Sequence, residues 1–343
     1  MEKYSRWRDP GTGIHAFVPP VPLRGDRNGF QTFTSIAKSY ILGPPLAFIK
    51  LTVAMILVVV FALLELVGQM LAPITLIQRA YTRLVNFVLL RSLLLLLGFY
   101  WIKSENVTVK KGARRSSSRT QPTRQSVQAG DIIATNHTSY LDVLYLGARY
   151  APMFVTPTQT PGQVTVETIW SAFARSIRSP PLPETGLRLS DVVKTAKSNG
   201  CSVAVFPEGT TSNGRGILRM TKVFHGLEPD KVRVHVIGLK YEYEDFAPTF
   251  TVGNFIPHVF FLACQWINTL EVRYLISEEV QDLHTTLPAN MTLNPDEGVM
   301  GTQIASLLNH ATRLRQTSSL GVKEKLEFIA YYTERERKTR KSL

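Results

Sequence analysis

His137 and Asp142 stand five positions apart in the run Asn136-His137-Thr138-Ser139-Tyr140-Leu141-Asp142. A carboxylate on one imidazole nitrogen fixes the tautomer and stabilises the imidazolium, so the other nitrogen can take a proton from a hydroxyl. A single continuous helix would leave the two side chains about 140° out of phase. A turn at His137 followed by a helix from about Ser139 brings them together. The same spacing reads equally as a capping box, Ser139-x-x-Asp142, which needs no catalysis. A second block is Phe206-Pro207-Glu208-Gly209-Thr210, continuing Thr211-Ser212-Asn213-Gly214-Arg215-Gly216. Gly209 permits close backbone approach. Exposed amides, the Thr210 hydroxyl, Arg215, Arg219 and Lys222 suit a phosphate. Glu208 either accepts hydrogen bonds from ligand hydroxyls or orders the loop; an ordinary turn with Glu208 paired to a surface lysine is the plain alternative.

Each block follows a buried-strand pattern, DIIAT at 131–135 and SVAVF at 202–206. VRVHVIGL at 232–239 is a third such run, and 107–109 a short one. Helical periods cover 140–150, 189–198 and 299–314. The proline-punctuated stretch 152–186 is expected to be loop-rich around a short helix near 170–177. The Ser/Arg/Gln-rich stretch 112–128 lacks an apolar period and reads as a loop. Alternating strands and helices imply an α/β fold.

Upstream, residues 46–64 carry Lys50 as their sole charge. As a helix they would rise about 28 Å, close to the roughly 30 Å of a hydrocarbon core. A second apolar stretch, 84–102, includes Asn86 and Arg91, and Arg79, Arg83 and Asn86 share one helical face, as in an interfacial helix. Basic residues flank the pair, with Lys3, Arg6, Arg8, Arg24, Arg27 and Lys38 before it and Lys103, Lys110, Lys111, Arg114, Arg115, Arg119 and Arg124 after it. Both flanks therefore read as cytosolic, giving a membrane hairpin or re-entrant pair. No signal peptide is expected, because the first apolar run starts too far in.

Composition narrows the classes. The 343 residues suggest about two units, at roughly 150 residues each. With 44% apolar residues the chain is no disordered regulator, and with two cysteines, Cys201 and Cys264, it is no disulfide-stapled module. The net charge of +13 calls for anionic partners. Nucleic-acid binding would rest on charge alone, which the membrane segments explain better. No phosphate-binding P-loop, dinucleotide fingerprint or zinc-type Cys/His spacing occurs. The nearest serine-hydrolase elbow, Gly200-Cys201-Ser202-Val203-Ala204, lacks its last glycine and runs into a strand, so Cys201 reads as core packing. The expected organisation is a basic segment at 1–44, membrane-anchoring helices at 45–103, an α/β domain at 104–315 and a basic tail at 316–343.

NHTSYLD and FPEGT, in this order and each after a buried strand, resemble the glycerolipid acyltransferase family, including the fungal-type lysophosphatidic acid acyltransferases, over roughly residues 131–240. The resemblance implies an acyltransferase-type mixed sheet flanked by helices, with an N-terminal membrane-embedded helical segment. It implies His137 as general base, Asp142 as its orienting partner and Glu208, Gly209 and Thr210 as the block that binds the glycerol-phosphate of the acceptor. Arg215 and Arg219 follow closely enough to reach its headgroup. The donor would be acyl-CoA as co-substrate, with no cofactor, no metal and no covalent intermediate. The sequence departs from the family pattern in three places: Thr211 stands where many members have Arg, Gly238 stands where a Pro is usual, and the middle-block arginine is one of Arg175, Arg178 and Arg188.

The expected activity is transfer of an acyl group from acyl-CoA to lysophosphatidic acid, giving phosphatidic acid for phospholipid and triacylglycerol synthesis. The alternatives are a lysophosphatidylethanolamine or lysophosphatidylcholine acyltransferase, and a catalytically dead membrane-associated structural protein. Intact His137, Asp142 and Glu208 argue against the last. Membrane lipid is the expected partner, with no nucleic acid. The expected location is the endoplasmic reticulum membrane or the lipid droplet, with the catalytic domain facing the cytosol. The terminal Arg340-Lys341-x-x resembles a di-basic retrieval signal.

Overall fold

The computed structural model describes residues 4–21, 28, 29, 34, 37–71, 74–108, 126–275, 283, 292–295 and 297–341. Most of the loop expected at 112–128, the last two residues with the retrieval-type terminus, and Lys3, Arg24 and Arg27 lie outside these.

Two long helices come first, α1 (Gly43–Met70) and α2 (Thr75–Leu96). The chain then alternates as β1 (Ile102–Val107), β2 (Ile132–Thr135), α3 (Tyr140–Tyr150), β3 (Met153–Pro157), β4 (Gln163–Glu167), α4 (Ile169–Arg178), β5 (Leu187–Arg188), α5 (Leu189–Ser198), β6 (Val203–Val205) and β7 (Val234–Glu242). It closes with α6 (Phe255–Cys264), β8 (Thr269–Leu275), α7 (Gly298–Thr312) and α8 (Val322–Lys341). The strands form one eight-stranded sheet in the order β1-β8-β7-β2-β6-β3-β4-β5. β7, β2, β6 and β3 run parallel at its centre, while the β7–β8, β3–β4 and β4–β5 pairs are antiparallel.

Every residue of β2 and β6 is buried, as expected of parallel strands covered on both faces. The two-residue period sorts their side chains. Ile133 and Ala204 pack with Leu90 and Leu94 of α2 and Leu141 of α3. Ile132, Ala134, Val203 and Val205 face the other way, onto Val192 and Val193 of α5 and Ile304 and Leu308 of α7. A third cluster joins Trp7 and Phe17 near the N-terminus to Leu218 and to Phe328 of α8. Residues 316–343, read from sequence as a basic tail, thus include a helix that buries Lys325 and Phe328.

The helix 40–70 is the one among the described residues long and apolar enough to cross a membrane. Its charged residues are satisfied by the domain: Lys50 Nζ donates to the Gln265 carbonyl at 2.7 Å, and Glu65 Oε2 accepts from Trp170 Nε1 of α4 at 2.5 Å. Those two attachments lie about 22 Å apart along the helix, so α1 runs along the flank of the domain instead of standing away from it. Phe48, Ile49, Met55, Ile56, Leu63 and Met70 are exposed on its outer side. The stretch 84–102 is not one helix: α2 ends at Leu96, a turn follows, and Ile102 opens β1.

Candidate active site

β2 and β6 are parallel neighbours, so their carboxyl ends open side by side, and both sequence blocks emerge there. After Thr135 the chain turns through His137, and Ser139 caps α3 with a φ of −158°. The first turn of α3 then brings Asp142 back under the ring. Asp142 Oδ2 accepts from His137 Nδ1 at 3.0 Å, from the Thr138 amide at 2.7 Å and from the Ser139 amide at 2.8 Å. The capping box and the His–Asp pair are therefore one arrangement, not alternatives.

The remaining oxygen, Oδ1, accepts from the Tyr241 hydroxyl at 2.7 Å. Burial, then the neighbouring carboxylate, raise the Tyr241 phenol well above its ordinary range, which keeps it a donor. Tyr241 lies near the end of β7, the other parallel neighbour of β2. The Asn136 side chain bonds that same strand, donating to the Leu239 carbonyl and accepting from its amide, and so pins the turn. The imidazole is stacked on Phe206, with ring centroids 3.9 Å apart.

Glu208 is fully buried and faces the fold. One oxygen accepts from the His137 amide at 2.8 Å and the other from the Leu218 amide at 2.7 Å. Burial pushes its carboxyl up to about 8, against the pull of those two amides. Lys325 of α8 is also fully buried; its Nζ donates to the Thr211 carbonyl at 2.9 Å, and burial brings its ammonium down to about 7. Gly209 has a φ of +68°, and a Cβ there would meet Val322 at 3.1 Å, so the turn requires glycine on both counts.

His137 Nε2 faces Ser176 Oγ of α4 at 3.0 Å, and that hydroxyl is also within 2.7 Å of the Ala172 carbonyl. His137, Ala172, Arg175, Ser176, Thr210 and Thr211 are among the residues lining a cavity of about 30 Å³, room for about one water. The hydroxyls of Thr210 and Thr211 are buried without a hydrogen-bond partner among the described residues. The structure thus gathers His137, Asp142, Gly209 and Thr210 at one site, with Glu208 behind them as a brace. It does not bring Arg215 or Arg219 there: Arg215 is exposed beside the Val21 carbonyl, and Arg219 lies 3.7 Å from Glu324. Of the three middle-block arginines, Arg175 lines the cavity, with its Nε 3.2 Å from Glu167.

The family model described as Acyltransferase matches residues 118–226. A Schizosaccharomyces pombe protein named "Putative lysophosphatidic acid:oleoyl-CoA acyltransferase" is 32% identical over 243 residues, covering 70% of this chain and 73% of that protein. The chain belongs to the acyltransferase family. A second acyltransferase relative, the Arabidopsis thaliana lysophospholipid acyltransferase LPEAT1, is 31% identical over 56% of this chain and 52% of its own length. The crystal structure of the 1-acyl-sn-glycerophosphate acyltransferase PlsC from Thermotoga maritima aligns over 76% of this chain and 96% of its own, at 14% identity and a TM-score of 0.34. The fold of this acyltransferase is read from its own sheet. Three of its site residues, Ser176, Phe206 and Tyr241, carry no role in the sequence reading. Phe206 stood inside the FPEGT block, whereas Ser176 and Tyr241 become neighbours of His137 and Asp142 only once the sheet order is known.

Proposed function

We propose that this acyltransferase moves an acyl group from acyl-CoA to the free hydroxyl of a lysophospholipid, with lysophosphatidic acid the preferred acceptor. One observation carries the reading: an imidazole oriented by a buried carboxylate presents Nε2 to a cavity whose wall holds unpartnered threonine hydroxyls. Nε2 takes the proton of the acceptor hydroxyl as its oxygen attacks the thioester carbonyl. The C–O bond forms, the C–S bond breaks, and the imidazolium returns the proton to the departing thiolate. General-base assistance supplies roughly 10²–10⁴ in rate. Positioning two amphiphiles at one surface supplies much of the rest. Thr210, Thr211 and Arg175 are the groups available to the glycerol-phosphate. The activity named for the Schizosaccharomyces pombe relative supports the choice of acceptor, and the name of the Arabidopsis thaliana relative keeps other lysophospholipids as the alternative.

The hairpin α1–α2 is the membrane attachment in this proposal, with the exposed side of α1 in the lipid and the domain on the cytosolic face of the endoplasmic reticulum or the surface of a lipid droplet. An exposed apolar face of this extent marks a membrane or partner surface, and the basic flanks favour the cytosol. Transfer of labelled oleoyl-CoA to a panel of lysophospholipids by purified membranes tests the activity. His137→Ala should abolish transfer while leaving membrane association intact; normal turnover by that variant would end the proposal.

The Ser176–His137–Asp142 geometry favours a second reading, in which Ser176 is acylated first. Against it, Ser176 sits within α4, where its hydroxyl also meets the Ala172 carbonyl and the neighbouring amides are committed to the helix. Ser176→Ala decides between them. Direct transfer keeps activity within severalfold; the acyl-serine route loses it altogether, along with any burst of coenzyme A release.

A further inference from the structure

At the amino ends of β2 and β6, the opposite end of those strands from His137, lies a cleft of about 360 Å³. Its walls include Arg79 and Arg83 from the first turns of α2, Arg149 and Tyr150 from the end of α3, and Gln128 and Ser202 from the segments that enter the two strands. Three arginines thus line one opening. Arg79 is half-buried and held in place by the Asn199 carbonyl. Arg83 and Arg149 are exposed, and neither has an ion-pair or hydrogen-bond partner among the described residues. Asp131, next along the chain, already accepts from the Gln128 amide and from His235. The stretch 109–125 contains six basic residues and no acid, so it brings no carboxylate to neutralise them.

Like charges gathered without a counterion repel one another, and an anion among them removes that cost. Guanidinium forks match phosphate oxygens in pairs, which makes phosphate the best-fitting class. The surroundings narrow the class further. Leu76 and Leu84 of α2, within one turn of Arg79 and Arg83, are exposed, as is Phe87 one turn beyond Arg83. A ligand with its phosphate in the cleft could lay hydrocarbon along that face.

We propose that this cleft is a second phosphate site, separate from the catalytic centre, and that it holds the headgroup of an anionic glycerophospholipid of the surrounding membrane. The proposal rests on the membrane-facing reading of α1 and α2 but not on the catalytic role of His137. Bound there, the lipid would hold this end of the domain against the bilayer and favour its anionic regions.

Full-length protein in neutral detergent tests this by thermal melting with dioctanoyl phosphatidylglycerol, dioctanoyl phosphatidylcholine and inorganic phosphate as separate probes. Phosphatidylglycerol should raise the melting temperature saturably, and phosphatidylcholine should not. Arg83→Gln/Arg149→Gln should need about tenfold more phosphatidylglycerol or beyond, since two charge-assisted contacts are lost. The charge-matched control Lys194→Gln/Lys231→Gln, which alters exposed lysines elsewhere, should respond like the wild type. His137→Ala should also respond like the wild type, which separates this site from the catalytic reading. The proposal is overturned if Arg83→Gln/Arg149→Gln responds normally, if the control loses the response equally, or if His137→Ala abolishes it. Inorganic phosphate matching phosphatidylglycerol at equal concentration would overturn the lipid assignment in favour of a free anion. Native mass spectrometry, counting bound phosphatidylglycerol on each variant, gives a second readout that does not depend on melting.

Discussion

Replacing Asp142 with Asn removes one charge and one of two acceptor oxygens. The carboxylate oxygen that caps α3 also holds His137 Nδ1, while the other oxygen receives Tyr241. An Asn carboxamide can set its oxygen toward the three donors, which leaves its NH₂ facing the Tyr241 hydroxyl, so that hydroxyl loses the acceptor of its own proton. The cap, the tautomer and the ring orientation then persist. What disappears is the negative charge opposite the imidazolium that the proposed mechanism forms during transfer. A hydrogen bond to a charged group is worth about 1.5–3 kcal/mol against about 1 for a neutral one. Trading the charged bond for the neutral one at the transition state costs about 0.5–2 kcal/mol and should therefore slow turnover roughly 2- to 30-fold, at about 1.4 kcal/mol per decade. The melting temperature should fall by only a few degrees, because each capping amide keeps an acceptor. The assay is initial rate per folded molecule with oleoyl-CoA and lysophosphatidic acid, read beside thermal melting. Ser139→Ala is the control: it weakens the cap by about 1 kcal/mol without touching the charge, and should leave the rate per folded molecule unchanged. Asp142→Asn with an unchanged rate per folded molecule would refute the reasoning and leave the residue a helix cap. So would a Ser139→Ala variant slowed as much as Asp142→Asn.

Three further outcomes follow from the same geometry. Glu208→Ala leaves two buried backbone donors, the His137 and Leu218 amides, without their acceptor; stability should drop by about 1–3 kcal/mol for each, and kcat should fall with little change in acceptor KM, as measured by melting and steady-state kinetics. Arg175→Ala should raise the KM for lysophosphatidic acid about tenfold with a smaller effect on kcat, whereas Arg215→Ala should leave both near wild type; the reverse pattern would restore Arg215 to the site. Asp9 accepts hydrogen bonds from Thr12, Ser318 and Ser319, which outweigh the cost of burial and hold its carboxyl at about 2, below its ordinary 3.8. Its contribution is therefore fully present above the unfolded value and is lost as pH falls toward 2; Asp9→Asn should be less stable than wild type at neutral pH, and acid melts should show that difference shrinking between about pH 4 and 2.

The central strands were legible because parallel strands covered on both faces need continuous apolar runs, and DIIAT and SVAVF are such runs. The His137–Asp142 pairing was legible because a turn plus one helical turn is the shortest path that closes a five-residue gap. Ser176 and Tyr241 were not, since what makes them neighbours is the placement of α4 across the site and of β7 beside β2, which no local pattern encodes. The stretch 152–186 reads as loop from its prolines, yet β3 and β4 form an antiparallel pair there, with Pro157 at the very end of β3. The charged composition of 316–343 hid α8, where a few positions, Lys325 and Phe328 among them, do the packing. Gly238, where the family pattern has proline, lies under α7: a Cβ there would meet Thr312 at 3.0 Å.

Ser176 against His137 has a further consequence. A thioester beside an unguarded base would be destroyed by water, which outnumbers any lipid hydroxyl. In the closed arrangement the base meets a serine, and the cavity holds about one water. On the proposed mechanism, deprotonation would wait for a molecule whose own hydroxyl takes the place of the Ser176 hydroxyl at Nε2. Under the proposed mechanism, donor alone would leave the machinery idle, and coenzyme A release would follow acceptor supply.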